Sequence, residues 1–260
     1  MPSSDFPDER ELVPYEASTF AASRVVVFAP HPDDEVLGCG GALADLLGRG
    51  AHLDVVLVTD GAAGARDAEE RARIAATRME ESRRALDELG GGTLHAGGFP
   101  DRGLGDRLGE VEALVALWLV EAAPDLVFAP SPVETHPDHR AVAAALFRVA
   151  ARPAGDAAAR ALEGANVAFF ELSQPFRPNF LFDATRVRER KERAMDAFAS
   201  QTAVRDYAGL VRGLSAYRKM TLSADVLAVE AYSVAAGSLL RSDPKGVVRA
   251  LLPVAVGGGG

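Results

Sequence analysis

The chain of 260 residues has a single cysteine, Cys39, and so cannot hold an internal disulfide, which fits a reducing compartment. It is also short of positive charge: 28 Lys and Arg face 37 Asp and Glu, for a formal net charge of −9. Nucleic-acid binding rests mainly on Lys and Arg neutralising phosphates, so no nucleic-acid partner is expected. No long hydrophobic run is present. The longest one near the C-terminus, Val247 to Val256, is broken by Arg249 and Pro253 and is too short to span a bilayer. Met1 to Glu16 is acidic and lacks the apolar stretch of a secretory leader, so a cytoplasmic chain with no membrane partner is expected. Histidine is scarce as well. There are five, and three of them are His31, His136 and His139.

A full core is available, because 48% of the residues are apolar and 25% charged. β-Branched runs alternate with helical patterns. Arg24 to Ala29 reads as a strand buried on both faces, and Leu53 to Val58 and Asp125 to Ala129 read similarly. Between them, helices are expected over Glu35 to Leu47, Ala68 to Leu89 and Leu108 to Ala122, with a short strand at Leu94 to Ala96. A helix at Ala141 to Ala150 comes next. Later come strands at Val167 to Leu172 and Phe180 to Phe182, a charged helix at Arg186 to Ala199, and a strand at Val226 to Tyr232. Such alternation predicts an α/β fold: a Rossmann-like, mostly parallel sheet with helices on both faces. The simplest division is a weakly structured arm over 1–20, one domain over 21–256 and a flexible tail over 257–260.

Ligands of such sheets bind outside the carboxyl ends of the strands, and the polar clusters fall there. Pro30-His31-Pro32-Asp33-Asp34-Glu35 follows the first strand, Asp60 the second, Asp101 the third, and His136-Pro137-Asp138-His139 the fourth. Asp33 and Asp34, buried side by side, would resist ionising together unless a cation neutralised them. Imidazole and carboxylate so close suit a borderline metal such as zinc. Each motif has a plainer reading. Asp33, Asp34 and Glu35 could only cap a helix, and His136 and His139 could be loop residues at the surface. Three of five histidines in two such loops favour a His/Asp/His metal site, although spacing alone does not tell which of His136 and His139 is the ligand.

Gly38, Gly40 and Gly41 mimic a dinucleotide fingerprint with Asp60 about 20 residues on. That reading puts three carboxylates where a pyrophosphate needs positive potential, so the glycines are expected to allow close helix–sheet packing. Cys39 reads as a small core residue. Arg78 shares a helical face with Ile74, Ser82, Ala85 and Leu89, where it either snorkels or anchors a polar substrate.

With these residues in view, the chain resembles the PIG-L/LmbE-like zinc-dependent N-acetylglucosaminyl deacetylases. The matching segments are residues 30–35 with the Gly38-Cys39-Gly40-Gly41 run, Thr59-Asp60-Gly61, Arg78 with Glu81 ahead of Leu89-Gly90, Phe99-Pro100-Asp101, His136 to Arg140, and Lys191 with Ala194 and Ser200-Gln201. They span about residues 24 to 201. The resemblance implies that His31, Asp34 and His139 bind one Zn2+ and that Asp33 is the general base. It implies that His136, oriented by Asp138, stabilises the oxyanion or acts as acid, and that Arg78 and Asp101 hold sugar hydroxyls. The substrate implied is an N-acetylglucosamine-type sugar or its conjugate, and the region from about 202 is expected to shape specificity. One departure is Glu134, where some members acting on sugar-thiols carry tyrosine, so their substrate is not implied here. Other readings are a nucleotide- or dinucleotide-binding α/β protein and a zinc amidase for another N-acylated small molecule. A homo-oligomer is left open.

Overall fold

The structure is a computed structural model that describes residues 8–252. Its strands are β1 (Arg24–Ala29), β2 (His52–Thr59), β3 (Thr93–Phe99), β4 (Leu126–Pro130), β5 (Asn166–Phe170), β6 (Phe180–Asp183) and β7 (Val229–Ala236). The first helices are α1 (Glu9–Leu12), α2 (Asp34–Gly48), α3 (Ala68–Leu89), α4 (Leu108–Ala122), α5 (Pro137–Ala150) and α6 (Ala157–Glu163). The later ones are α7 (Arg188–Asp196), α8 (Ala199–Thr202), α9 (Tyr207–Arg218), α10 (Gly237–Ser242) and α11 (Pro244–Leu251).

All seven strands form one sheet in the order β3-β2-β1-β4-β5-β7-β6. The pairs among β1 to β5 are parallel, and β7 runs antiparallel to both β5 and β6. The mostly parallel sheet expected from the alternation is therefore present. β1 is apolar at consecutive positions because each face is covered. Val25, Val27 and Ala29 join a core with Leu43 of α2, Ala85 of α3 and Met195 of α7. Val26 and Phe28 join a second core with Val111 of α4 and Val142 of α5.

Strand order reverses at β1, which has β2 on one side and β4 on the other. Chains leaving adjacent parallel strands there turn to opposite faces and leave a crevice between them, the usual place for a ligand. The two His-containing motifs leave the carboxyl ends of β1 and β4, so the topology brings together residues about a hundred positions apart.

The glycines of α2 allow the close packing expected of them. A Cβ at Gly38 would run into the ring of Phe170 on β5, and one at Gly41 would sit 2.8 Å from Glu230 Oε1. Glu230, on β7, accepts hydrogen bonds from the backbone N–H of Gly41 (2.6 Å) and of Ala42 (2.9 Å), and from the Tyr232 hydroxyl (2.7 Å). Lys191 of α7 completes the cluster with Nζ 2.6 Å from Glu230 Oε1. Helix α2 is thus clamped to the sheet as well as packed on it.

Several boundaries differ from expectation. Helix α5 begins at Pro137 rather than near Ala141, with His136 as its N-cap. The charged helix ends at Asp196, and α8 is a separate turn. The final strand is shifted to Val229–Ala236. Residues 1–7 of the arm lie outside the described residues, and its last part is tied to the sheet: Ser18 bridges to Phe182, and Phe20 is buried against the rings of Phe128, Phe180 and Tyr232. The tail over 257–260 and the domain's last residues, 253–256, lie outside the described residues. Among the described residues, no helix is long and apolar enough to cross a membrane.

Candidate metal centre and active site

The turn after β1 is tight and strained. Asp33 sits at φ 120°, a conformation that disfavours a side chain, just ahead of the first residue of α2. Such a backbone costs about 1–3 kcal/mol and persists only where its surroundings enforce it. Enforcement comes from Glu35, whose Oε2 accepts the Asp33 N–H at 2.9 Å, and from Arg78 of α3. Arg78 donates to the carbonyls of Pro32 and Gly61 and approaches Asp33 Oδ2 at 3.1 Å. Burial raises the Asp33 pKa well above the usual carboxylate range; Arg78 opposes the shift, and Asp34 and Glu35 add to it. Burial likewise pushes Glu35 up to about 7.

At the start of α2, Asp34 Oδ2 lies 3.1 Å from His31 Nδ1 and 3.2 Å from His139 Nε2, and those two nitrogens are 3.3 Å apart. Ligands 2.0–2.1 Å from a tetrahedral zinc stand about 3.3–3.4 Å from one another, so this triangle has the dimensions of one face of such a site. Its donor set, two imidazoles and a carboxylate, suits the same ion. Two wider groupings, His31 with His136 and His139, and His31 with Asp101 and Asp138, bring their ligand atoms within 4.8 Å. Neither competes well. His136 Nδ1 is taken by the backbone N–H of Asp138 at 3.2 Å, and Asp138 accepts from the N–H of Arg102 (2.6 Å) and Leu104 (3.2 Å).

The far nitrogens of both triangle histidines face carboxylates. His31 Nε2 has Asp101 Oδ1 at 3.3 Å and Asp138 Oδ2 at 3.4 Å, and His139 Nδ1 has Glu134 Oε2 at 3.7 Å. Neither nitrogen has an aligned hydrogen bond. Carboxylates behind ligand imidazoles set the tautomer and hold the ring, a recurrent support for bound metal. Burial opposes the His31 imidazolium, yet Asp101, Asp138 and Asp34 outweigh it and hold that pKa well above the ordinary value. Burial also disfavours ionised Asp34, but the two histidines overcome this and keep its carboxyl well below the usual range. The cluster of acids therefore calls for a cation at its centre.

His136 differs from His31. Burial, followed by the charges of His31 and His139, holds its pKa below the ordinary value despite Asp138 and Asp101. Its place at the positive end of α5 acts the same way. Because Nδ1 accepts a backbone N–H, the neutral ring carries its proton on Nε2. Asp138 meets His136 through its backbone N–H, while its carboxylate faces His31 and accepts from two N–H groups of the loop after β3. The sequence hides this because its periodicity places the start of α5 four residues late.

A cavity of about 790 Å3 opens over the triangle, and His31, Asp33, Asp34, Arg78, Asp101, His136 and His139 all line it. Asp138 is fully buried beneath. Of the two expected sugar anchors, Asp101 reaches the cavity while facing His31. Arg78 also reaches it, but its guanidinium is occupied by Asp33 and the two carbonyls. Asp60 is not part of the cavity; it ties to Arg71 at 2.6 Å. Cys39 is buried, with Sγ donating to the Glu35 carbonyl at 3.2 Å, and the surrounding burial raises its pKa well above normal. Glu134, in sequence only a departure from a family pattern, gains a role behind His139. No local spacing reveals it, since its other partners lie in the loop after β5.

The profile of the PIG-L family, described as GlcNAc-PI de-N-acetylase, matches residues 26–150. Over 121 residues the chain is 35% identical to the diacetylchitobiose deacetylase of Thermococcus kodakarensis, a match covering 45% of each chain. Over 154 residues it is 35% identical to the 2'-N-acetylparomamine deacetylase of Streptomyces fradiae, covering 51% of this chain and 53% of that one. The chain thus spans about half the length of these curated relatives. Among solved structures, the N,N'-diacetylchitobiose deacetylase from Pyrococcus horikoshii, in complex with an inhibitor, superposes with a TM-score of 0.70 at 26% identity. That likeness covers 84% of this chain and 85% of the other. By its two His-containing motifs, its sheet and these relatives, the chain is similar to the PIG-L/LmbE-like N-acetylglucosaminyl deacetylases, with the family profile matching residues 26–150.

Proposed function

We propose that the protein is a zinc-dependent hydrolase that removes the acetyl group from an N-acetylglucosamine-type sugar or a conjugate of it. The observation that carries this reading is the triangle of His31 Nδ1, Asp34 Oδ2 and His139 Nε2, with edges of 3.1 to 3.3 Å. These three residues would hold one zinc ion. When bound, zinc supplies Lewis acidity, lowering the pKa of a water molecule and polarising an amide carbonyl.

The residues around it divide the proton work. Asp33 is adjacent to a ligand without belonging to the triangle, and its raised pKa suits a base that must hold a proton at neutral pH. It takes the proton of the attacking water and returns it to the leaving amine. Arg78 fixes its carboxylate in one orientation. His136, neutral and protonated on Nε2, donates a hydrogen bond to the carbonyl oxygen as charge develops there. Asp101 and Arg78 line the cavity where sugar hydroxyls would lie, with Asp101 the freer of the two to accept from a hydroxyl.

The test is metal analysis combined with amine release from N-acetylglucosamine and its glycosides. The expected result is about one zinc per chain, activity lost to a chelator and activity restored by zinc. Zinc-loaded protein that releases amine from none of these sugars overturns the proposal.

A further inference from the structure

The cavity over the triangle is larger than one acetamido sugar requires. At about 790 Å3 it lies toward the upper end of the roughly 300–1,000 Å3 that takes drug-sized ligands. Its two ends differ in chemistry. The inner end is polar and holds the triangle, Asp33, Asp101 and His136. Away from that end the lining gathers apolar side chains, Leu37 from α2, Ile74 from α3, and Val204, Tyr207, Leu210 and Val211 from the turn after α8 and the first half of α9, with Arg73, Thr77, Gln201 and Arg205 among them.

Two of these side chains lie open, Val204 at 80% exposure and Leu210 at 59%. Single exposed apolar residues are ordinary at a surface, but several lining one wall of a cavity that leads to reactive groups are not. Nor is the wall slack. Ser200 binds Glu81 through its N–H (2.8 Å) and its hydroxyl (2.6 Å). Asp206 caps α9 by accepting the Gly209 N–H at 2.7 Å, and Arg218 at its far end binds Glu171 at 2.5 Å. Ala208 anchors the middle in the core. This segment lies beyond residues 26–150, the part matched by the family profile.

A second sugar ring could pair hydroxyls with Arg73, Thr77, Gln201 or Arg205, but those turned to Val204, Leu210 and Val211 would lack partners, at a cost of about 1–3 kcal/mol for each group desolvated unpaired. A cationic group would meet Arg205, which lines the same cavity and has no ion-pair partner among the described residues. We infer that the aminosugar reaches this site on an apolar aglycone, aromatic or alkyl, which packs on Val204, Tyr207, Leu210 and Val211 while the acetamide lies at the triangle. This specificity rests on the deacetylase reading above.

The experiment compares phenyl and methyl N-acetylglucosaminides, in both anomers, with zinc-loaded protein. The phenyl glycoside is expected to show a kcat/KM about tenfold or more above the methyl one, mainly through KM, since apolar pocket contacts are worth at least that much. The double variant Val204→Ser/Leu210→Ser should bring the ratio close to one. Both positions are exposed, so folding is not at stake. Met220→Ser, at a site 79% exposed but outside the cavity, should leave the ratio as it is. A parent ratio near one, or a ratio untouched in the double variant, overturns the inference while leaving deacetylation standing. Calorimetric binding of phenyl and methyl glucosaminides, which carry no acetyl group, separates the two readings. If no amine is released from either substrate, yet the phenyl compound binds about tenfold tighter and the double variant loses that advantage, the aglycone site stands and the deacetylase reading falls. Equal binding with no amine release overturns both.

Discussion

Glu134→Gln probes how the loop carrying His139 is held. Glu134 is 1% exposed, and both its oxygens are occupied. Oε1 accepts the N–H of Leu172 at 2.7 Å and of Gln174 at 3.4 Å, and Oε2 accepts the N–H of Ser173 at 3.1 Å and the Ser173 hydroxyl. Oε2 also faces His139 Nδ1 at 3.7 Å. An amide presents one oxygen and one NH2, so whichever way it turns, a backbone N–H of the loop after β5 meets a donor. One buried donor left unpaired costs about 1–3 kcal/mol, and in a chain of this size each kcal/mol lowers Tm by about 2–4 °C. Losing the carboxylate behind a metal-binding histidine typically weakens metal about 10–100-fold. Zinc affinity by chelator competition and melting of the metal-free and zinc-loaded protein read the two effects separately. The metal-free protein should melt a few degrees lower, and the further rise in Tm on adding zinc should shrink. A variant that melts lower but keeps the parent's zinc Kd would show that Glu134 only ties two loops, and the proposed support of His139 would be wrong.

Asp33→Asn keeps an acceptor for Arg78 and removes the base, so amine release should fall about 10²–10⁴-fold with zinc content unchanged; activity within tenfold of the parent excludes Asp33 as the base. His139→Ala should lose zinc and activity together while the circular dichroism spectrum is preserved, because the sheet does not depend on that side chain; a variant retaining stoichiometric zinc removes His139 from the ligand set. Arg78→Ala should lower Tm as well as rate, since it leaves Asp33 Oδ2 and the carbonyls of Pro32 and Gly61 without their donor, at about 1–3 kcal/mol for a buried group left unpaired; unchanged melting with raised KM alone would make Arg78 a substrate anchor instead. Gly38→Ala should destabilise by about 1–3 kcal/mol through the clash with Phe170, outweighing the ~1 kcal/mol that alanine gains in helix propensity. Urea unfolding midpoints decide it, and a variant as stable as the parent would mean that α2 does not press on β5.

The strands and helices around β1, β2 and β4 are legible in the sequence because their apolar runs and terminating glycines are local signals. Position in the sheet is not. That β7 inserts between β5 and β6 depends on contacts among distant segments, and α10 and α11 are too short for periodicity to reveal. The candidate site is legible in its donors and less so in their roles. Both histidine motifs stand out in the sequence, but the lowered pKa of His136 comes from burial and from the charges of His31 and His139, none of them local signals, with the helix boundary adding to it. With α5 starting near Ala141, His136 is a loop residue beside an acid; with α5 starting at Pro137, it is the N-cap, facing the positive end of a helix. Glu134, Glu81 and Glu230 escape a role for a different reason. Each acts on a partner between 38 and 189 positions away, and no spacing rule reaches that far.

The arrangement of α2 explains how so costly a cluster is kept folded. Asp33 holds a strained backbone, Asp33 and Glu35 are forced to share a buried turn with Asp34, and His31 sits among three acids. Left alone, such a turn would relax by fraying the start of the helix, which would open the triangle. Fraying is resisted from below. The glycine face seats α2 directly against Phe170, and Glu230 grips the N–H groups of Gly41 and Ala42 while Lys191 binds both Glu230 and the Leu37 carbonyl at 3.0 Å. The helix is therefore fixed two turns past the site, on the sheet side, where no ligand competes for the contacts. Its first turn can then carry charges that would repel one another in a free helix, and repulsion among them becomes affinity for a cation. The stabilising residues are spread over α2, α7 and β7 while the reactive ones are gathered at two strand ends, so the triangle is held without support from the apolar side chains of α9.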